Sequence, residues 1–169
     1  SALGKYDMPK PLIEVRGKTI LRHSLETLHN YDANYIFIIH ERLIKYNICD
    51  EIEKVIDSPN YILARGEQKG AACTNLLATA FINNDTPLMI ANCDQREEWD
   101  GIYDFSYDGL ILVFEGHKVR HSYVTIDENN FVTGVAEKTD PPISNIATTG
   151  HYGWSKGSDF VKYANQMIE

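Results

Sequence analysis

Asp94 follows directly on the apolar run PLMIA at residues 87–91, within Asn92-Cys93-Asp94-Gln95. A carboxylate at the end of a strand can hold a hard cation, and magnesium is usually held by one or two carboxylates together with substrate phosphates. An aspartate that merely caps a turn would occupy the same place. Lys10 stands between Pro9 and Pro11. Proline removes a backbone donor and disfavours helix in the residue before it, so a fixed, extended loop is expected here. The lysine on that loop either faces solvent or meets a phosphate. GEQKGAA, residues 66–72, precedes an expected helix, where glycine lets backbone approach a ligand or simply forms a loop. Glu137-Lys138 ends an expected strand, and as a surface ion pair it would be worth little. Gly150 interrupts a strand pattern, which marks a bulge or the close approach of a ligand. No Ser/His/Asp or Cys/His arrangement stands out, and the six histidines lack metal-ligand spacing.

The elements that must position these residues can be read from periodicity. Residues 19–31 carry Ile20, Leu21, Leu25 and Leu28 near helical spacing, which predicts an amphipathic helix. YIFIIH at 35–40 is a continuous apolar run, as expected for a buried parallel strand. Helices are predicted over 43–55 and 70–81, and strands over 61–64, 87–91 and 110–114. The strands at 122–126 and 131–137 flank Asp127-Glu128-Asn129-Asn130, a hairpin turn. A strand at 147–154 and a helix from Ser158 to Ile168 complete the chain. Strands alternating with helices, followed by antiparallel strands, predict an α/β sheet with a mixed edge. Ligands in such sheets bind at the carboxyl ends of the strands, where Asp94 lies.

Composition narrows the possibilities. A chain of 169 residues with 43% hydrophobic content suits one domain with a full core. The net charge of -8 argues against nucleic-acid and anionic-membrane partners. No apolar run approaches the roughly 20 residues that span a bilayer, and the amino-terminal region has no apolar core of signal-peptide length. Cys49, Cys73 and Cys93 are odd in number and widely spaced, which suits reduced thiols in the cytoplasm.

In order, PKPLIEVRGKTILRHSLETL, GEQKGAAC, PLMIANCDQ, VTGVAEK and ATTGHYGW resemble the nucleotidyltransferase family that includes the sugar-1-phosphate nucleotidylyltransferases. The resemblance runs along essentially the whole chain. It implies a Rossmann-like three-layer sandwich with a mixed, mostly parallel central sheet. It also implies transfer of a nucleotidyl group from CTP, UTP or dTTP to a phosphorylated small acceptor, most simply a sugar phosphate, with release of pyrophosphate. Carried over by position, Lys10 meets the reacting phosphates, while Gln68, Gly70 and Asn92 bind the nucleotide. Asp94 holds Mg²⁺. Glu137 and Lys138 face the acceptor, and Gly150 lies where the acceptor backs onto the sheet. The implied setting is bacterial surface-polysaccharide synthesis.

Such a reaction needs no protein nucleophile, because a phosphate oxygen of the acceptor attacks the α-phosphorus. The protein has to position two anions and offset their repulsion. A cytidylyltransferase for an amino-acid or choline-like phosphate, a nucleotide-sugar glycosyltransferase and a non-catalytic nucleotide-binding module are the alternatives. Asn92-Cys93-Asp94 lacks the first carboxylate of the Asp-x-Asp that the glycosyltransferase would need. The family also opens with a strand and a glycine-rich, arginine-bearing loop, of which only Ser1-Ala2 before Leu3 could be a remnant. The sequence is therefore expected to be incomplete at its amino end, with its carboxyl end open to the same reading. It is also expected to carry a break between Ala2 and Leu3 and a second, weaker one within residues 116–121, which interrupt two strands, 110–114 and 122–126, that otherwise pair well. The family's second metal-binding aspartate has no clear match near the carboxyl end, since Asp159 suits the first turn of a helix.

Overall fold

The computed structural model describes residues 8–28, 31–98 and 103–168, so the expected break between Ala2 and Leu3 lies outside the described residues. At the prolines the expectation of extended backbone is corrected. Lys10–Leu12 is a 3₁₀ turn in which Leu12 N–H donates to Pro9 O (2.9 Å) and Ile13 N–H to Lys10 O (3.2 Å). Proline's φ falls in the 3₁₀ range, and Pro11 sits in the first turn, where its missing N–H has no bond to lose. A small hairpin follows, β1 (Glu14–Val15) with β2 (Lys18–Thr19), turning through Arg16 (φ 52°) and Gly17 (φ 80°). Thr19 caps α1 (Ile20–Leu25) by accepting Arg22 N–H at 3.1 Å.

The two long helices expected next are both broken. Between β3 (Ile36–His40) and β4 (Asn60–Ala64) the chain runs through a 3₁₀ segment, Glu41–Tyr46, then Asn47 at φ 54°, then α2 (Ile48–Glu53). Asparagine tolerates this left-handed conformation, so the helix stops and restarts there. After β4, α3 (Ala71–Asn75) passes through a 3₁₀ turn, Leu76–Ala78, into α4 (Thr79–Ile82). Thr74 and Thr79 both donate their hydroxyls back to main-chain carbonyls, of Gly70 and Leu76, a local bond that competes with a straight helix.

β3 and β4 pair in parallel, Ile36 against Asn60 through His40 against Ala64. β3 is covered on both faces. Phe37 and Ile39 pack into a cluster with Leu12, Leu21, Leu25, Ile48, Ile52 and Ile56, whereas Ile36 and Ile38 pack against Ala78, Ile82, Phe160, Val161 and Ala164. The second cluster also takes Leu88 and Ile90 of β5 (Leu88–Ile90) and rests on α5 (Gly157–Ile168).

The remaining strands are β6 (Gly109–Glu115), β7 (Ser122–Ile126), β8 (Val132–Glu137) and β9 (Ile146–Trp154). β9 is the hub. β6 runs antiparallel along it from Gly109–Trp154 to Glu115–Ile146. β5 pairs with its carboxyl half at Leu88–Trp154, and β7 with its amino half at Tyr123–Ala147. Because β6 occupies one edge of β9 at both places, β5 and β7 share the other. β8 closes the sheet through a hairpin with β7, whose turn is the expected one: Asp127 Oδ1 accepts the N–H groups of Asn129 and Phe131 at 2.9 Å each.

Two expectations change here. Among the described strands only β3–β4 is parallel and the five-stranded sheet is antiparallel, so a mostly parallel sheet is not what these pairings form. β6 and β7 lie on opposite sides of β9 instead of pairing. The segment 116–121 between them is a turn closed by hydrogen bonds. Gly116 N–H donates to Asn145 O (2.9 Å), His121 N–H to Lys118 O (3.0 Å), and the Tyr123 hydroxyl to the same Lys118 carbonyl (2.9 Å).

Candidate functional site

The fold brings Lys10 and Asp94 together across 84 positions of sequence as an ion pair. Lys10 is presented by the 3₁₀ turn, and Asp94 stands in the loop just beyond the end of β5. The pair is open to solvent, with side chains 54% and 28% exposed, so each is available to a charged ligand. The Asp94 charge also acts on its neighbour. Desolvation, then Asp94, push the Cys93 thiol upward.

The loop after β5 is fixed from two sides. Ser24 of α1 donates its hydroxyl to Asn92 O at 3.1 Å. On the other side Gly150 of β9 adopts φ 88°, and a Cβ there would lie 2.1 Å from Asn92 Nδ2 and 2.6 Å from Gln95 Oε1. Asn92 in turn donates to Gln95 at 3.3 Å. The reason for the glycine is therefore close approach as well as backbone conformation. It coincides with a bulge: β6 has Leu112 alone between Ile111 and Val113, opposite residues 149–151 of β9. Beside this irregularity lies a cavity of about 380 Å³, bounded by the loop from Gln95 to Glu98, by Leu112, Val113 and Phe114, and by Thr149.

The other expected residues form separate local groups. Gln68 donates to Arg65 O (3.0 Å) within its own loop, and Gly70, at φ 112°, opens α3. His40 at the end of β3 ties this loop down through Gly66 O (2.9 Å). Glu137 is held by Lys138 (2.7 Å) and by the Ser122 hydroxyl. Its carboxyl is lowered by the Lys138 hydrogen bond and then by Ser122, and Glu137 raises Lys138 in return. The register places Glu137 opposite Ser122, and Ser122 one step from the Tyr123–Ala147 pair. The acidic–basic pair thus lies at the end of the sheet where β9 approaches Gly150. Among the described residues no hydrogen bond joins Gln68, Gly70, Glu137 or Lys138 to Asp94.

No group of three or more His, Cys, Asp or Glu side chains suited to a metal occurs among the described residues. A cation held by Asp94 would have to complete its shell with water and substrate oxygens. One exposed carboxylate fits that demand for Mg²⁺.

Two residues were not anticipated. His151 is 1% exposed, and its Nδ1 lies 2.7 Å from Glu97 Oε1. The only sequence signal is a histidine inside an apolar strand, and nothing in the spacing joins it to Glu97.

No protein-family model matches the chain. It is 27% identical over 154 residues to the bifunctional protein GlmU of Methanocaldococcus jannaschii, covering 88% of this chain and 35% of that protein. It is 28% identical over 156 residues to the UTP–glucose-1-phosphate uridylyltransferase AglF of Haloferax volcanii, covering 86% and 63%. The resemblance is to the sugar nucleotidyltransferases. The fold is shared with a nucleoside-diphosphate-sugar pyrophosphorylase from Vibrio cholerae, with a TM-score of 0.83 at 21% identity over 97% of this chain and 72% of that one. The chain thus spans from about a third to under two thirds of the length of these curated relatives.

Proposed function

We propose that this chain is the nucleotidyl-transfer domain of an enzyme that joins a nucleoside triphosphate to a phosphorylated small acceptor, most simply a sugar 1-phosphate. The observation that carries the reading is the Lys10–Asp94 pair at the end of β5, set beside the Asn92–Gln95–Gly150 contact. The archaeal uridylyltransferase supports a sugar phosphate as acceptor and UTP as one candidate donor, with CTP and dTTP also to be tested.

The chemistry asked of these residues is modest. An acceptor phosphate oxygen attacks the α-phosphorus, a new P–O bond forms, and the bond to the bridging oxygen breaks so that pyrophosphate leaves with the electron pair. Lys10 neutralises phosphate charge from its turn, and Lys138 does so for the acceptor, with Glu137 holding that lysine in place. Gln68 and Gly70 border the base, Asn92 the nucleotide, and Gly150 gives the acceptor room against β9. Asp94 is the residue that would hold Mg²⁺, which when bound offsets charge on the phosphates. Positioning and charge neutralisation carry such a transfer, so the absence of a protein nucleophile from the proposed set is consistent with it.

No helix among the described residues is long and apolar enough to cross a membrane. A cytoplasmic site of action, where nucleoside triphosphates are made, is part of the proposal. The test is an incubation with each NTP, Mg²⁺ and a panel of sugar phosphates, choline phosphate and phosphoserine, following pyrophosphate. Release that depends on both an NTP and one acceptor class supports the reading. Sugar transfer from a nucleotide sugar without pyrophosphate release would overturn it.

A further inference from the structure

The buried Glu97–His151 contact has no part in the reaction just described. Both side chains are withdrawn from solvent, 13% and 1% exposed, yet neither Glu97 oxygen nor His151 Nδ1 has an aligned hydrogen-bond partner. Burying a carboxylate against an imidazole without aligned bonds is unfavourable, and an apolar pair of similar volume would fill the space at lower cost. Packing alone does not account for it.

Its placement does. Glu97 belongs to the loop that carries Asn92, Asp94 and Gln95, and His151 immediately follows Gly150 on β9. The loop is therefore tied to β9 twice, once where Asn92 and Gln95 meet Gly150 and once through Glu97. Asp94 lies within the first tie, between Asn92 and Gln95, and the cavity bounded by Gln95, Arg96, Glu97 and Glu98 lies beside the second. The Tyr103 hydroxyl is pushed up to about 12, by burial first, with Tyr31 and Glu97 adding to it.

We propose that Glu97 and His151 are positioning residues, which lock the 92–98 loop onto β9 and so set the shape of the cavity that receives the body of the acceptor. The kinetic part rests on the function proposed above; the geometric part does not. The test therefore has two arms. In the first, the side-chain amide resonances of Asn92 and Gln95 are followed by NMR in Glu97→Gln, His151→Ala and His151→Asn, all without ligand. The lock predicts that both resonances shift in the first two variants. Asparagine can return a donor to the Nδ1 position, so His151→Asn should restore most of the wild-type shift. In the second arm KM is measured separately for NTP and acceptor. Glu97→Gln should raise the acceptor KM about tenfold and leave the NTP KM within twofold.

Unmoved amide resonances in folded Glu97→Gln and His151→Ala would overturn the proposal. So would a parallel loss toward both substrates that tracks the unfolded fraction. If the wild-type protein turns over no acceptor, the functional reading fails and the amide resonances alone decide the lock. Should the single variants fail to fold, the apolar double variant Glu97→Leu with His151→Leu takes their place. It should fold and still show both resonances displaced, and resonances at wild-type positions would count against the lock.

Discussion

Gly150→Ala perturbs the loop–β9 contact by one methyl group. At φ 88° an alanine is in a left-handed region that costs about 1–2 kcal/mol. Its Cβ would also stand 2.1 Å from Asn92 Nδ2, 2.9 Å from Asn92 Cγ and 2.6 Å from Gln95 Oε1. Since Cγ as well as the amide is too close, the whole Asn92 side chain must rotate away, and the 3.3 Å bond to Gln95 is lost. That bond adds about 0.5–1.5 kcal/mol. The total is about 2–3 kcal/mol, or a fall in Tm of about 5–10 °C for a domain of this size. Gly17→Ala is the control, because Gly17 has φ 80° and no atom within 4 Å of the added Cβ. It carries the backbone penalty alone, so the two variants should differ by about 1 kcal/mol in urea unfolding. Activity separates them further. A displacement of about 1 Å beside the reacting groups can cost about 10²-fold, so kcat/KM should fall by that order per folded molecule in Gly150→Ala. Wild-type kcat/KM in a Gly150→Ala protein no less stable than Gly17→Ala would refute the reasoning.

Asp94→Asn should lower the rate about 10²-fold or more while leaving the thermal transition near wild type, because a partly exposed carboxylate outside both core clusters supports the proposed metal rather than the core; near-normal turnover at ordinary Mg²⁺ would remove Asp94 from the site. Lys10→Ala should reduce turnover more than stability, since its exposed pair with Asp94 contributes at most about 1 kcal/mol; a large drop in Tm with unchanged activity per folded molecule would make Lys10 structural. Glu26, bonded by Lys18 Nζ at 2.8 and 2.9 Å, is held below its ordinary value of 4.5 by that hydrogen bond, against an opposing effect of desolvation. A lowered folded-state value means the pair stabilises fully above pH 4.5 and less as pH falls through the lowered value. Glu26→Gln should therefore cost about 1 kcal/mol at pH 7 and nothing below that window, read from urea unfolding at several pH values.

What could be read from the sequence was whatever rests on local pattern. The apolar run at 35–40, the hairpin turn opened by Asp127 and the position of Asp94 beyond β5 all follow from neighbours in the chain. The breaks at Asn47 and after Asn75 were hidden, because helical spacing of apolar residues continues across them while single side chains redirect the backbone. The 3₁₀ turn at Pro9 and Pro11 leaves no local mark either, because proline's fixed φ suits an extended segment and a 3₁₀ turn equally. The β6–β7 pairing failed for a different reason. Two strands joined by a short turn ordinarily pair, but β9 inserts between them, and insertion is a long-range event that leaves no local mark. Glu97 and His151 were invisible on the same grounds, since only the β5–β9 pairing brings their segments together.

That dependence on β9 bears on how the protein is made. β5, β6 and β7 all leave the ribosome before the strand to which they bond, so until residues 146–154 emerge each offers an unpaired edge to its surroundings. The hairpin of β7 and β8 can form early, since its contacts are local. The contact of Gly150 with Asn92 and Gln95 cannot. Synthesis that pauses ahead of β9 would hold a chain with several exposed strand edges and no assembled site, which is the interval in which a chaperone would matter most.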